Sequence, residues 1–403
     1  MTAAEHATIL PPTTDHPPYP RTPRQAEAIA IGARLAEIAA RTASRHDRDG
    51  TFPHETFAAL RDDGLLRFTL PEEWGGHGAG PIETMLALEQ LARGDGSVAL
   101  GTTMHLVAIA GIAADPGWPE HLKARLFTDV RGRGALTNGL ASEPDLGSPS
   151  RGGGFKTTAT AIDGGWSVNG RKTWSTLAPG LTWATVLLAI EEPDGTRVPG
   201  SLFVAMDSPG IRIEETWDNL SMRATGSHDV VFENVVVPTD HLLPRTQGKP
   251  AGVVSEWSLL TSAVYLGIGV AARDFTVAFA QTRVPTGLGT PIAELQTVQH
   301  RLAQIEILLL QARSTLYGTV EAWLAATPEG RRALAWQFAA AKYTVTNHAI
   351  QVTDQALRIV GSAGQQRQFP LERYFRDVRA GLGNPPMDDV ALTTIGRNAV
   401  DIS

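Results

Sequence analysis

The sequence predicts an α+β multidomain fold, with an N-terminal helical domain, a middle β-barrel and a C-terminal helical bundle. Three observations predict it. Apolar residues first recur at helical spacing, then come short Val- and Thr-rich segments separated by turns, and finally long Ala- and Leu-rich helical patterns. The chain has 403 residues, of which 42% are hydrophobic, so it has the material for more than one core.

The N-terminal part divides into an arm and a helical domain. Residues 1–24 are rich in proline and threonine, which predicts a mobile arm. Residues 25–133 are predicted to form the N-terminal helical domain. Within it Pro53 opens a helix and Gly64 stands where the residue after a helix end is expected.

The middle part, residues 134–240, is predicted to be a β-barrel domain. Segments such as 182–190 and 229–237 are short and rich in β-branched residues. Turn signals such as Asn169-Gly170 separate them. Several short strands at this spacing are typical of a small barrel or sandwich.

The last part, residues 250–403, is predicted to be a C-terminal helical bundle. Long helices are expected over 253–282, 292–326 and 330–360. Gly267 to Ala272 match the pattern G-x-G-x-x-A. Because this match lies inside a helical pattern and follows no strand, it predicts close helix packing rather than a dinucleotide site.

Composition excludes several function classes. Lys and Arg number 35 against 42 Asp and Glu, and this net charge of −7 argues against nucleic acid and acidic membrane surfaces as partners. Without cysteine there is no disulfide, thiol catalysis or Cys-bound metal, and the histidines lack metal-ligand spacing. No apolar stretch is expected to reach the roughly 20 residues of a membrane span. We therefore expect a cytoplasmic protein without a metal site.

Five groups of segments resemble motifs of the acyl-CoA dehydrogenase family, and they occur in the family's order. They are LPEEWGG at 70–76, ASEPDLGS at 141–148, VNGRKTWST at 168–176, MRATGS at 222–227 with VVVP at 235–238, and GSAG at 361–364 with LERYFRD at 371–377. The chain is identified on these motifs as a member of that family of flavoproteins.

The resemblance implies FAD as cofactor and assigns its binding residues. Two barrel segments would face the flavin ring, with Ser142 and Thr176 as hydrogen-bonding hydroxyls and Trp174 as an aromatic wall. Ser148 and His105 align with substrate contacts. Arg283 aligns with an arginine that reaches the FAD pyrophosphate across a subunit interface, although the aromatic residue that usually follows is missing. The predicted cofactor-binding set is Leu140, Ala141, Ser142, Ser148, Trp174, Ser175, Thr176, Arg283 and Gly361.

The sequence departs from the family at the catalytic base. The family's usual glutamate aligns with Pro385, which cannot exchange a proton. Some relatives carry the base on the first bundle helix, which makes Glu256 a candidate. Asp388 and the adjacent Asp389 are further candidates if the tail loop differs in length, although they could equally cap the last helix.

Two reaction classes and one non-catalytic alternative follow from the resemblance. The first is FAD-dependent α,β-dehydrogenation of an acyl thioester, with hydride transfer to flavin N5 and an electron-transfer flavoprotein as possible partner. The second is a monooxygenase that uses reduced flavin and oxygen, supplied by a flavin reductase. The third is a member that kept the fold alone, against which the intact Ser142, Trp174 and Thr176 argue. The resemblance also implies a homodimer or homotetramer.

Overall fold

A computed structural model of the protein describes residues 18–144, 154–244 and 257–400. Most of the predicted arm, together with Ser148 and Glu256, lies outside the described residues. The fold class is confirmed, because the described chain has helices, then a curled sheet, then helices.

Five α-helices lie in the described N-terminal residues 18–133. They are α1 (Pro23–Asp49), α2 (His54–Asp63), α3 (Pro81–Gly94), α4 (Gly96–Ala114) and α5 (Glu120–Arg133). Thr22 caps α1, since its side chain accepts a hydrogen bond from the Gln25 amide. The predicted end of α2 is confirmed at Gly64, whose φ of 93° is open to glycine and strained for other residues.

In the described part of the chain, seven strands form one mixed sheet. They are β1 (Leu136–Leu140), β2 (Thr158–Ile162), β3 (Gly165–Lys172), β4 (Leu181–Glu191), β5 (Arg197–Ala205), β6 (Ile211–Glu214) and β7 (Asp229–Pro238). The long strand β4 is central: it pairs in parallel with β1 and β2 and antiparallel with β5. Strand β3 then connects β2 to β7. This topology brings the end of β1 beside the segment that follows β3.

The described residues 257–400 contain seven further α-helices. They are α6 (Trp257–Thr282), α7 (Gln296–Ala325), α8 (Pro328–Ala333), α9 (Ala335–Val360), α10 (Leu371–Asp377), α11 (Ala380–Gly383) and α12 (Asp388–Ala399). The helix predicted over 292–326 is interrupted near its start, where a 3-10 turn at Ile292–Glu294 precedes α7. The helix predicted over 330–360 is divided, because α8 and α9 are separate helices around Leu334.

Helix α6 is the central helix of the structure and packs against α3, α4, α7 and α9. A side chain at Gly267 would overlap the Glu89 carbonyl of α3, which explains the glycine pattern as close packing. Helices α4 and α6 are long and apolar enough to cross a membrane, so the expectation that no such stretch exists was wrong. Both are core helices, however, with 61% and 72% of their apolar windows buried inside the protein.

Buried polar contacts join the N-terminal helices to the bundle. Glu89 of α3 pairs with Arg313 and accepts a hydrogen bond of 2.6 Å from the Tyr317 hydroxyl, both on α7. Arg93 pairs with Asp274 of α6 at 2.6 Å. Because these charges are removed from water, their pairing sets how the two helical regions meet.

Candidate functional site

The segment after β3 carries a strained and partly exposed aromatic residue. Trp174 has a φ of 56°, and its side chain remains 60% exposed. Leu177 and Met222 also have positive φ, so three of the four described non-glycine residues of this kind lie here. Such conformations cost about 1–3 kcal/mol each and concentrate at functional sites. We take the surface around Trp174 as the candidate site.

A second tryptophan holds the first in place. Trp217 meets the Trp174 ring edge to face, with ring centroids 5.0 Å apart. Its indole N–H donates to the Met222 carbonyl at 3.0 Å, and its backbone N–H donates to His228 Nδ1 at 3.1 Å. Trp174 is therefore an aromatic surface that packs on one side against Trp217 and is open to solvent, as suits stacking with a planar ring.

The end of β1 is bonded to the same segment. Asn138 donates from Nδ2 to the Thr176 carbonyl at 3.0 Å and accepts from the Gly139 amide at 2.8 Å. The Thr173 amide donates to the Ser142 carbonyl at 2.9 Å. The two segments that the resemblance assigns to the flavin ring are thus adjacent. Sequence reasoning missed Asn138, whose only signal was an amide side chain in a short strand.

Polar atoms with spare hydrogen-bonding capacity line this junction. The Ser175 hydroxyl is buried and has no hydrogen-bond partner among the described residues. Thr176 is half-buried, and its hydroxyl lies 2.9 Å from that of Ser227. Leu140 is buried and Ala141 half-buried beside them. An aromatic wall, apolar neighbours and an unsatisfied hydroxyl fit a planar heterocycle with polar edges.

A buried ion pair lies beside the candidate site. Lys172, at the end of β3, is fully buried and donates to Glu143 Oε1 at 2.7 Å. Glu143 also accepts from the amides of Lys156 at 2.7 Å and Thr157 at 3.1 Å. Burial alone would raise the pKa of Glu143, but Lys172 and these amides outweigh it and lower that pKa. Glu143 is therefore a structural anion, a role that the sequence motif did not reveal.

His105 lies in the interior of the protein. Its Nδ1 accepts from the Thr137 amide at 3.2 Å, so Nε2 carries the proton that bonds the Leu66 carbonyl at 2.7 Å. Burial lowers the pKa of His105 to about 4, so the ring is neutral. Both ring nitrogens bond to the backbone, and the predicted substrate contact of His105 stays a prediction.

The segment around Pro385, where the family's catalytic base is expected, is hydrogen-bonded to the bundle helices. Asn384 donates to the Tyr265 hydroxyl of α6, and Pro385 follows it. Asp388 begins α12 and accepts from Asn347 of α9 at 3.1 Å. Its other oxygen lies 3.9 Å from the buried Lys342 ammonium. Asp388 is thus engaged with α9, and Asp389 has an exposed side chain.

The two remaining predicted residues lie at the surface. Arg283 follows α6 with an exposed side chain, and Gly361 follows α9 in an exposed turn with a φ of 69°. Their predicted contact with a cofactor at a subunit interface stays a prediction. No group of His, Asp and Glu among the described residues could hold a metal ion.

Comparison with known proteins gives matches along almost the whole chain. The acyl-CoA dehydrogenase N-terminal, middle and C-terminal domain models match residues 30–125, 139–235 and 259–397. The putative acyl-CoA dehydrogenase YdbM of Bacillus subtilis is 40% identical over 368 residues, covering 91% of this chain and 95% of that protein. The amino sugar nitrososynthase DnmZ of Streptomyces peucetius is 31% identical over 379 residues, covering 90% of each.

A similar solved structure is that of KijD3 in complex with FMN and dTDP-3-amino-2,3,6-trideoxy-4-keto-3-methyl-D-glucose. Its TM-score is 0.84 at 28% identity, and the match covers 97% of both chains. Of these three proteins, one is named for dehydrogenation, and the names or bound ligands of the other two concern amino sugars.

Proposed function

We propose, from the premise that this chain belongs to the acyl-CoA dehydrogenase family and is an oxidoreductase, that it is a flavin-dependent monooxygenase of a small molecule. The observation that carries this proposal is the tail around Pro385. The family's dehydrogenation needs a carboxylate that removes a proton from the substrate. Here the aligned residue is a proline, and Asp388 is engaged with α9. Oxygenation by reduced flavin does not need that carboxylate.

The residues around Trp174 would hold the flavin ring. Trp174 would stack on it, Leu140 and Ala141 would form the apolar side, and Ser142, Ser175 and Thr176 would bond its polar edge. When bound, a flavin supplies a two-electron couple that can react with oxygen. The protein contributes binding, orientation and hydrogen bonds to the ring.

FAD is the form of flavin that we favour. FMN and FAD share the ring, and KijD3 was solved with FMN. Only FAD has the pyrophosphate that the resemblance assigns to Arg283 near a subunit interface, where Gly361 is also expected. The exposed Ile307 and Leu310 on α7 support such an interface. We therefore propose a homodimer or homotetramer; a cytoplasmic location stays a prediction.

Dehydrogenation of an acyl thioester is the second candidate. The 40% identity to a protein named putative acyl-CoA dehydrogenase favours it. It would need Glu256, which directly precedes α6, as the base, and an electron-transfer flavoprotein as acceptor. The oxygenase would instead need a flavin reductase as partner.

The two candidates predict different responses of the flavin-loaded protein. We expect no anaerobic bleaching of the flavin absorbance by saturated acyl-CoA thioesters of varied length. We expect oxygen uptake when a flavin reductase supplies reduced flavin. When a panel of amino sugar nucleotides is tested as substrates under ¹⁸O₂, we expect one ¹⁸O atom in the product. Bleaching by any acyl-CoA would instead support dehydrogenation and count against the oxygenase.

Glu256→Gln separates the candidates at one residue. Loss of a general base costs about 10²–10⁴-fold in rate. If the protein is an oxygenase, we expect the variant to bind flavin and take up oxygen at the parent rate. Glu294→Gln, at an exposed glutamate, is the matched control. A large fall in thioester-driven flavin reduction with Glu256→Gln alone would establish the dehydrogenase base.

A further inference from the structure

Three hydroxyl groups form a chain from the candidate flavin surface into the protein. Thr176 Oγ1 lies 2.9 Å from Ser227 Oγ, which lies 2.7 Å from Thr225 Oγ1. Thr225 Oγ1 in turn lies 2.9 Å from the Met222 carbonyl oxygen. Ser227 and Thr225 are only 5% and 2% exposed, so bulk water does not compete for these hydrogen bonds.

The inner end of the chain sets its direction. A carbonyl oxygen only accepts, and the Met222 carbonyl also accepts from Trp217 Nε1 at 3.0 Å. The Thr225 hydroxyl must therefore donate its single hydrogen to that carbonyl. Its oxygen then accepts from Ser227, and Ser227 must accept from Thr176. The opposite direction would leave two oxygen atoms 2.9 Å apart with no hydrogen between them.

Thr176 consequently has no hydrogen left for the flavin. Its hydroxyl oxygen can still accept through a remaining lone pair. N5 of oxidised flavin is itself an acceptor, so it cannot form a hydrogen bond with a hydroxyl that can only accept. Reduced flavin carries hydrogen on N5 and can donate to it.

We propose that the Thr176–Ser227–Thr225 chain makes this site selective for reduced flavin, with Ser227 and Thr225 as positioning residues. The inference rests on the proposed function, since it requires the flavin ring at Trp174 and Thr176. It deepens that function, because an enzyme that receives reduced flavin from a reductase gains from binding this form more tightly. Neither Ser227 nor Thr225 needs to touch the flavin.

The test compares the affinity of the purified protein for oxidised and reduced FAD, the latter measured anaerobically. Thr225→Val removes the inner hydroxyl while keeping the shape of the side chain. Ser227 can then donate to Thr176, and Thr176 can donate to oxidised N5. We expect the preference for reduced over oxidised FAD to fall about tenfold, the size of one hydrogen bond. That ratio corresponds to a shift of roughly 30 mV in the two-electron potential of the bound flavin.

Two further variants complete the design. Ser227→Ala breaks the chain at its middle and should reduce the preference in the same direction, so the test does not depend on one variant folding. Thr276→Val is the matched control, because its buried hydroxyl bonds a carbonyl within α6, outside the barrel. It should leave both affinities unchanged.

The outcomes are distinguishable. Thr225→Val and Ser227→Ala could instead lower the affinities for oxidised and reduced FAD by the same factor. The hydroxyl chain would then be only structural, which overturns the inference and leaves the proposed function intact. If the parent protein binds oxidised and reduced FAD with equal affinity, the inference is likewise overturned and the proposed function stays intact. Parent protein that binds neither form would overturn the proposed function as well.

Discussion

Lys172→Met is expected to lower the free energy of unfolding by about 3–5 kcal/mol, because it leaves the buried Glu143 carboxylate without its partner. Lys172 and Glu143 are both almost fully buried, and their charged atoms are 2.7 Å apart. Methionine replaces the apolar stem of lysine but not its charge. Chemical denaturation at neutral pH measures the loss as a lower midpoint, with the slope unchanged.

The pH dependence of this loss identifies its cause. In the parent the pKa of Glu143 is lowered, so its contribution is present above the unfolded pKa and is lost as pH falls through the folded pKa. Without Lys172, burial should raise that pKa, and the folded variant should take up a proton more readily than the unfolded chain. The difference in the free energy of unfolding between parent and variant should therefore become smaller as the pH falls below neutral.

The control is the double variant Lys172→Met with Glu143→Gln, which removes both charges. It should be more stable than Lys172→Met alone at neutral pH, since no unpaired charge remains buried. If the single and double variants unfold at the same midpoint, the ion pair is not the source of the loss.

Arg376→Leu is expected to cost a similar amount, about 3–5 kcal/mol, because Arg376 joins three parts of the chain. Its guanidinium donates to both Asp47 oxygens of α1, at 3.0 and 2.6 Å, and to Glu372 within α10. It also donates to the Leu220 carbonyl at 3.0 Å, in the loop that carries Trp217. Burial disfavours its charge, yet these carboxylates outweigh burial and raise the pKa of Arg376.

Arg376→Lys is the graded control. Lysine keeps the charge but cannot bond both Asp47 oxygens in the planar geometry of a guanidinium. We expect an intermediate loss of roughly 1–2 kcal/mol, about the size of one charged hydrogen bond. Equal midpoints for the parent and Arg376→Leu in urea would show that this junction does not stabilise the fold.

Local sequence signals predicted the elements better than their exact ends. The turn at Gly64 and the changes from helical to β and back were predictable, because residue type and periodicity report on local conformation. The 3-10 turn before α7 and the break near Leu334 carry no comparable signal. The lengths of the apolar spans in α4 and α6 were underestimated from the sequence. Small residues such as glycine and alanine separate the large apolar side chains there, and both helices are nevertheless mostly buried.

The candidate site was predicted only in part, and by motif rather than by pattern. Trp174, Ser175 and Thr176 were named from the resemblance, and the structure adds the backbone strain at Trp174 and the neighbours of all three. His105 illustrates the limit: its identity suggested chemistry, whereas its two backbone partners come from segments far apart in the sequence. Asn138 lies outside the quoted motifs, whereas Glu143 and the inner hydroxyls lie within them without a role assigned by the resemblance.

The sequence by itself determined the order of the three regions, the family motifs and the proline at the expected base, because these depend on residue identity and local spacing. Only the tertiary structure decided that Lys172 neutralises Glu143, that Asp388 bonds to α9, and that the hydroxyls of Thr176, Ser227 and Thr225 lie within hydrogen-bond distance in a row. Each of these depends on which atoms long-range packing brings within hydrogen-bond distance. Burial then determines how strongly those atoms interact, and no local pattern encodes it.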